Sequence, residues 1–562
     1  MSRPPAAGER LAGILSAAFC VLAAAVYSVL RKGYQFDGYY SDDAVQAPLI
    51  LNRLQPELLA NDPLIELIAG RYQSGWFDLV SWLHPVVSIQ VAYLAGFCIA
   101  RVLTFAAIHR LIVLLTGSAL AAGLGVFLVA GAAITYFGGI HFVETILTPR
   151  GLALPFALFG LEAFFRRRIP AMTAWLLVCL YIHPVSGLNF IVVIAFCGLF
   201  FPASVPRKPF FGALALLLLA MVAIGAWTGQ LAALGGGAGG LRYDAAWADI
   251  IEQTVGPWVY LHLLPRDFWL TSLWIPVFGG LALRWVGEPE LEAWFVRVAV
   301  ASAVALAVHV LAVDILNLQL ALPMCLQRAT GVFCIVALAV VARWLAASLR
   351  VPDPLRRSLA AAFFAAAVGL RDPSIAILFG ALLAVAWALR EVPWSARRRS
   401  LLAVVTIGGV LASTGSVVVG SFQLAPERVR THFERLRRLG SDADWVAVQH
   451  FIRDHSEVGD VVMPPMALSP RLVAQRPSTL TWKMQSFTHL SRPYAFTYWD
   501  WRNEVGLPFE HATTEESIAL ARRSGASWLV LDDREKPPAK GDPPPDHRVG
   551  PFRAYHIAPS AG

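Results

Sequence analysis

The chain has 562 residues, 57% of them hydrophobic and only 15% charged, with a mean hydropathy of +0.58. Soluble globular proteins are roughly half apolar and about a quarter charged, so this balance excludes an ordinary soluble enzyme and points to a polytopic α-helical membrane protein. The net charge of +8 comes almost wholly from arginine in short clusters between apolar runs, which points to topology rather than to a nucleic-acid partner.

A membrane-spanning helix needs about 20 mostly apolar residues. On that rule spans are expected at 11–30, 88–115, 118–136, 150–165, 170–183, 185–202, 209–228, 268–286, 292–313, 329–349, 358–370, 374–390 and 400–421, about thirteen in all. The run 11–30 has no small-residue cleavage site after it and is expected to be a retained first helix. The pair around Pro184 is either two spans or one hairpin dipping into the membrane. The first loop, 31–87, is long; "DDAVQAPLILNRLQPELL" is expected to lie as a short helix along the membrane surface. "GWFDLVSWLHP" places Trp76 and Trp82 for the headgroup layer. A second long loop, 229–267, contains "GGGAGG" without a preceding strand or a lysine, so it is not a phosphate-cradling loop.

Arginines set the orientation. Loops at 166–168, 207–208, 350–357 and 397–399 are basic, whereas 137–149, 183–187 and 314–327 are nearly free of lysine and arginine. That is the positive-inside pattern with a cytoplasmic N-terminus. The loops 31–87 and 229–267 then face outward, to the periplasm of a bacterial inner membrane. From 422 the composition turns polar: two amphipathic helices with a break near Gly440–Ser441, then "DVVMPP" and "SWLVLDD" as short buried strands around a helical "TEESIALARRSGA". The expected organisation is a membrane domain over 1–421 and a small α/β extracytoplasmic domain over 422–562. The six cysteines lie in or beside apolar runs and show no metal-ligand spacing.

Ionisable groups in or beside spans are functional candidates by default. Asp42 and Asp43 follow the first span; "GGIHFVETILTPRG" brings His141, Glu144 and Arg150 together; His183 sits at a turn; Asp314 and Arg328 stand at the end of another run, and Arg371 at a further one. On the expected topology all face one side. Moving a sugar from a lipid phosphate to a hydroxyl needs a carboxylate to take the hydroxyl proton. It also needs a cation, best an arginine, to stabilise the departing phosphate. A groove at the membrane edge must admit the lipid tail.

The layout resembles the GT-C superfamily of membrane glycosyltransferases, which includes protein mannosyltransferases, aminoarabinose transferases and oligosaccharyltransferases. The resemblance lies in a first span, an outside loop opening on acidic "SDDAVQAPLILNRL", about eleven to thirteen spans, and an outer C-terminal domain. It implies a catalytic aspartate at Asp42 or Asp43, and it makes "HFVETILTPR" the expected acidic-basic second loop. The implied donor is a polyprenyl-phosphate-linked sugar held by Arg150 and Arg328, with a glycan, lipid or protein acceptor. No cofactor is required; a divalent metal, Mg or Mn, is expected only for a diphosphate donor. The WWD signature of oligosaccharyltransferases is absent; "YWDWR" at 498–502 is a superficial echo.

Each feature has a plainer alternative. Asp42 or Asp43 caps a helix; Arg150 and Arg328 snorkel to the interface; His183 is a turn residue. Arg101 and Glu162, placed in the cytoplasmic half of their spans, are expected to form helix–helix pairs. The aromatics of "SRPYAFTYWDWR" either stack on sugars or fill a core. Two rival functions are a transporter or flippase of lipid-linked glycans, against which the absence of repeats speaks, and an inactive envelope-assembly scaffold.

Overall fold

The computed structural model describes residues 7–36, 42–132, 134–137, 140–201, 206–227, 242–369, 373–388 and 443–558. The expected span 400–421, the break near Gly440–Ser441, and Arg371 lie outside these. The described chain is mostly helical. Among the described residues, six helical stretches are long and apolar enough to cross a membrane: Leu11–Lys32, Ile89–Thr116, Arg207–Trp227, Arg266–Val286, Pro289–Ile315 and Ala321–Arg350. Shorter apolar helices include Ala119–Gly131, Ile169–Ile182 and Pro184–Phe200. These features are those of a polytopic helical membrane protein.

The elements that position the site are α1 (Ala7–Lys32), α2 (Asp43–Leu54), α3 (Pro63–Ile68), α4 (Gly75–Leu83), α5 (Ile89–Thr116), α6 (Ala119–Gly131), α7 (Pro149–Phe165), α8 (Ile169–Ile182) and α9 (Pro184–Phe200). At 1.5 Å per residue, the 28 residues of α5 run about 42 Å, beyond the ~30 Å of a hydrocarbon core. The expected span 118–136 is shorter as a helix. It ends at Gly131, where the backbone passes so close to Val368 that a Cβ would meet its carbonyl oxygen at 2.6 Å. The remainder forms an antiparallel pair, β1 (Thr135–Tyr136) with β2 (Ile140–His141). Around Pro184 the chain forms two helices separated by His183 alone. Proline lacks the N–H that a first helical position leaves unused, and it holds the preceding residue extended.

The helix Thr330–Arg350 runs through the middle of the bundle, with Trp344 buried among Phe278, Trp285 and Phe363. At the bundle end away from the site, Glu162 of α7 lies between Arg110 of α5, at 3.0 Å, and Arg166, at 2.9 Å. This is the helix–helix pairing expected of Glu162. Arg101 does not share it.

Helix α2 does not lie on a surface. Asp43 through Leu51 are all buried, because α4 packs on one side and the main apolar core takes in Val45, Leu49 and Ile50. Trp76 is likewise buried, edge-on to Tyr93, while Trp82 is 76% exposed. Of the two expected interfacial tryptophans, only Trp82 is placed for that role.

In the described residues after 443, a four-stranded sheet has the order β3 (Val462–Met463), β4 (Trp528–Asp532), β6 (Phe552–His556), β5 (His547–Val549). β3 is parallel to β4; the other pairs are antiparallel. Alternation along β4 sends Trp528 and Val530 toward Trp445, Val448 and Ile452 of the helix Ala443–Asp454. Leu529 and Leu531 face Leu520 and Ala521 of the helix Thr514–Arg523. Every residue of β4 is buried, as a strand covered on both faces must be.

Between β3 and that second helix, the chain returns to the bundle. Leu480, Met484, Phe487, Tyr494 and Tyr498 join the main apolar core. Tyr494 and Tyr498 are fully buried, so the aromatics of "SRPYAFTYWDWR" serve packing there. A sealed ion pair pins this segment: Arg471 Nε meets Asp62 Oδ2 at 2.6 Å, with both side chains 0% exposed.

Candidate active site

Asp42 precedes α2 in the helix-cap position, yet its side chain accepts no bond from the helix backbone. Its carboxylate is engaged elsewhere. Oδ1 lies 2.5 Å from Lys483 Nζ and Oδ2 lies 3.4 Å from Arg150 Nη2. Arg150 sits in the first turn of α7, a helix started by Thr148, whose hydroxyl oxygen accepts from the Gly151 N–H at 3.1 Å. The same hydroxyl donates to Glu144 Oε2 at 2.6 Å. Glu144 Oε1 accepts from Arg150 Nε at 2.8 Å. The result is a chain of charges, Lys483–Asp42–Arg150–Glu144, drawn from three distant stretches of sequence.

Burial alone raises a carboxylate's pKa. At Asp42 the ammonium of Lys483 and the guanidinium of Arg150 more than offset this and hold it below the usual carboxylate range. Burial, with the Asp42 charge, pushes the Tyr72 hydroxyl up. Asp43 turns the other way. It is 1% exposed, beside Tyr34, whose hydroxyl burial and the Asp43 charge push up. The structure brings Asp42, not Asp43, to the charge chain.

Beside the chain opens a cleft with about 760 Å³ of empty volume, its mouth included. His141, Glu144, Arg150 and Arg328 line it, together with Arg101 and apolar groups such as Phe97, Leu147 and Phe190. Arg328 reaches it through a strained turn. Cys325 has φ 46° and ψ 50°, a left-handed conformation that costs a non-glycine residue roughly 1–3 kcal/mol. A short 3₁₀ turn, Leu326–Ala329, follows. Asn189, another lining residue, supports this turn by donating to the Met324 carbonyl at 3.3 Å.

Three histidines surround the cations. Burial, then Lys32, lowers the His141 pKa. His183 caps α9, accepting from the Ser186 N–H at 3.1 Å through Nδ1; burial, Arg150 and Arg328 hold it well below its ordinary value. It is the turn residue of the plainer reading, set beside the cleft and not in its lining. His489, on the returning C-terminal segment, is pushed down to about 3 by burial and by Arg328. All three are neutral near pH 7.

Three members of this constellation are not among the residues expected from sequence. Lys483 and His489 come from the segment that folds back onto the bundle, and nothing local marks them. Arg101 carries a signal, a lone guanidinium in an apolar helix, but the folded chain puts it elsewhere than in the cytoplasmic half. It stands thirteenth in the long α5 and lines the cleft near Glu144, instead of pairing with another helix toward the far end. Asp314 lies apart, 3.6 Å from His262. Among the described residues, no three His, Cys, Asp or Glu side chains gather as a metal cage. The two carboxylates of the charge chain, Asp42 and Glu144, share Arg150. No protein-family model matches this chain, and no curated protein matches it.

Proposed function

We propose that this chain is an inverting glycosyltransferase of the GT-C kind. It moves a sugar from a polyprenyl-phosphate donor to an acceptor hydroxyl on the outer face of a bacterial inner membrane, with an extracytoplasmic C-terminal domain. The observation that carries this reading is the contact of Asp42 with Arg150 at the edge of a cleft that is both cationic and apolar. A phosphate with a long hydrocarbon tail needs that combination; a soluble sugar nucleotide does not.

In this reading Arg150 and Arg328 receive the phosphate while the tail follows the apolar wall toward lipid. At rest, Lys483 and Arg150 keep Asp42 ionised but make it a weak base. When the donor phosphate engages Arg150, part of that restraint is withdrawn and the carboxylate becomes more basic. The acceptor oxygen then attacks the anomeric carbon from the face opposite the phosphate. Its proton passes to Asp42, the bond from the anomeric carbon to the phosphate oxygen breaks, and the electron pair leaves on the phosphate. The guanidiniums stabilise the charge that develops there. Glu144, which accepts from Arg150 and from Thr148, is assigned the orienting of Arg150 and not the proton transfer.

The test compares Asp42→Asn with Asp43→Asn in purified protein supplied with polyprenyl-phosphate hexose and pentose donors, scoring release of polyprenyl phosphate. Loss of a general base lowers turnover by about 10²- to 10⁴-fold. That loss is expected of Asp42→Asn, whereas Asp43→Asn acts mainly on the melting temperature. An Asp42→Asn protein with turnover within threefold of the parent would falsify the transfer reading. Such a result would return a transporter or a scaffold to first place.

A further inference from the structure

Arg101 is the least explained group in the cleft. It is 7% exposed, it lines the cleft, and its Nε has no hydrogen-bond partner. Its guanidinium carbon lies over the Phe97 ring, 4.6 Å from the ring centre. Arg328 also has a buried Nε without a partner. Arg150, by contrast, is bonded to Glu144. Buried guanidiniums without an anion are costly, so the spacing of charge in this cleft asks for a ligand.

The charge balance says which. Three guanidiniums line the cleft against one carboxylate, Glu144; the adjoining Lys483–Asp42 pair is neutral as a unit. Lys32, near Arg101, has its ammonium on the Ala132 carbonyl at 3.3 Å and is not part of the lining. Two positive charges are therefore left over. A lipid-phosphate sugar is a phosphodiester with one negative charge. When the sugar leaves with its anomeric carbon bonded to the acceptor oxygen, the electron pair stays on phosphorus-bound oxygen, and the lipid phosphate monoester carries two. The cleft matches the product side of the reaction better than the ground state, which is the arrangement that accelerates a step.

We infer that Arg101 is a further phosphate-binding residue that recognises the second negative charge of a lipid phosphate monoester, so that the cleft prefers dianionic monoesters to monoanionic diesters. This rests on the proposed transfer reaction for its meaning but is tested by binding alone.

The probes are dodecyl phosphate, methyl dodecyl phosphate and dodecyl diphosphate, titrated calorimetrically into the full-length protein in detergent at pH 8, where the monoester is a dianion. The parent protein is expected to bind the monoester at least about tenfold tighter than the diester, as one added charge-assisted contact provides. R101Q is expected to weaken the monoester far more than the diester and so remove most of that ratio, with R101K in between. No preference in the parent protein, or an R101Q ratio equal to the parent's, overturns the inference. So does a diphosphate that binds more than tenfold tighter than the monoester and loses that advantage in R101Q. The parent comparison needs no variant to fold. If Asp42→Asn keeps its turnover while the monoester preference holds, the transfer reading fails and the binding inference stands; the converse result removes Arg101 alone.

Discussion

Two carboxylate–guanidinium contacts tie the 42–62 region to distant parts of the chain, and they are built differently. Asp62 and Arg471 meet at 2.6 Å with no exposure on either side. Their remaining valences are filled: Asp62 accepts from the Leu64 and Ser478 N–H groups at 2.9 Å, and Arg471 donates to the Ser478 carbonyl at 3.1 Å. Asp42 and Arg150 meet at 3.4 Å with about a quarter of each side chain exposed. There Glu144 holds Arg150 more closely than Asp42 does, and two further arginines stand by with buried nitrogens unbonded. A closed network holds two pieces of chain together. An open one has capacity for a ligand, and the same pair of residue types serves both ends.

The largest effect that sharpens this contrast is on stability. Asp62→Ala leaves Arg471 buried without its anion, which costs roughly 3–5 kcal/mol and is read as a lowered melting temperature of the purified protein in detergent. Replacing both partners together, Asp62→Leu with Arg471→Met, is expected to recover much of the loss, since an apolar pair carries no desolvation cost. Asp42→Ala, measured the same way, is expected to change stability by no more than about 1 kcal/mol, because water reaches its pair. Equal losses at the two sites would break the distinction.

Most helices of the bundle were legible because apolar runs bounded by Pro, Thr and Ser caps are a local signal. The expected 150–165 and 170–183 appear as Pro149–Phe165 and Ile169–Ile182. Glu144 and Arg150 were legible for the same reason: six residues apart, they meet through one loop. The choice between Asp42 and Asp43 was not. Neighbours on a helix do not share a face, and only the folded chain shows that Asp42 meets Lys483 and Arg150 while Asp43 is buried beside Tyr34. Arg101 was not placed correctly, because an apolar run does not fix the depth of a lone arginine within it; in the folded chain it stands thirteenth of the 28 residues of α5 and lines the cleft. Lys483 was out of reach altogether, since the contact joins positions 42 and 483 through folding of the whole chain.

The next effect concerns pH. The folded Asp42 pKa is depressed, so the stability its ion pairs give is fully present above the unfolded value of about 4 and is lost as pH falls through the lower folded value. In the proposed transfer the same ionisation sets the acid limb of the pH–rate profile, which is expected below the ordinary aspartate range. Lys483→Met removes the nearest cation. The acid limb then moves up toward that range, while turnover at pH 7, where Asp42 stays ionised, changes by less than about tenfold. A limb that does not move would mean that Lys483 latches the C-terminal segment without tuning the carboxylate.

The smallest expected effect is the most diagnostic of an open network. Glu144→Gln keeps an acceptor for the Thr148 hydroxyl but removes the charge nearest Arg150. Two things follow from electrostatics alone. In the proposed transfer the donor phosphate no longer competes with a carboxylate for Arg150, so KM for the donor is expected to fall. Arg150 also bears more strongly on Asp42, which makes the base weaker and lowers kcat. Each change is about threefold, the scale of a partly exposed ion pair, and the two move together as removal of a ground-state competitor requires. If KM instead rises with kcat unchanged, Glu144 is binding the sugar directly. Its bond to Arg150 would then belong to the empty cleft and not to the working one.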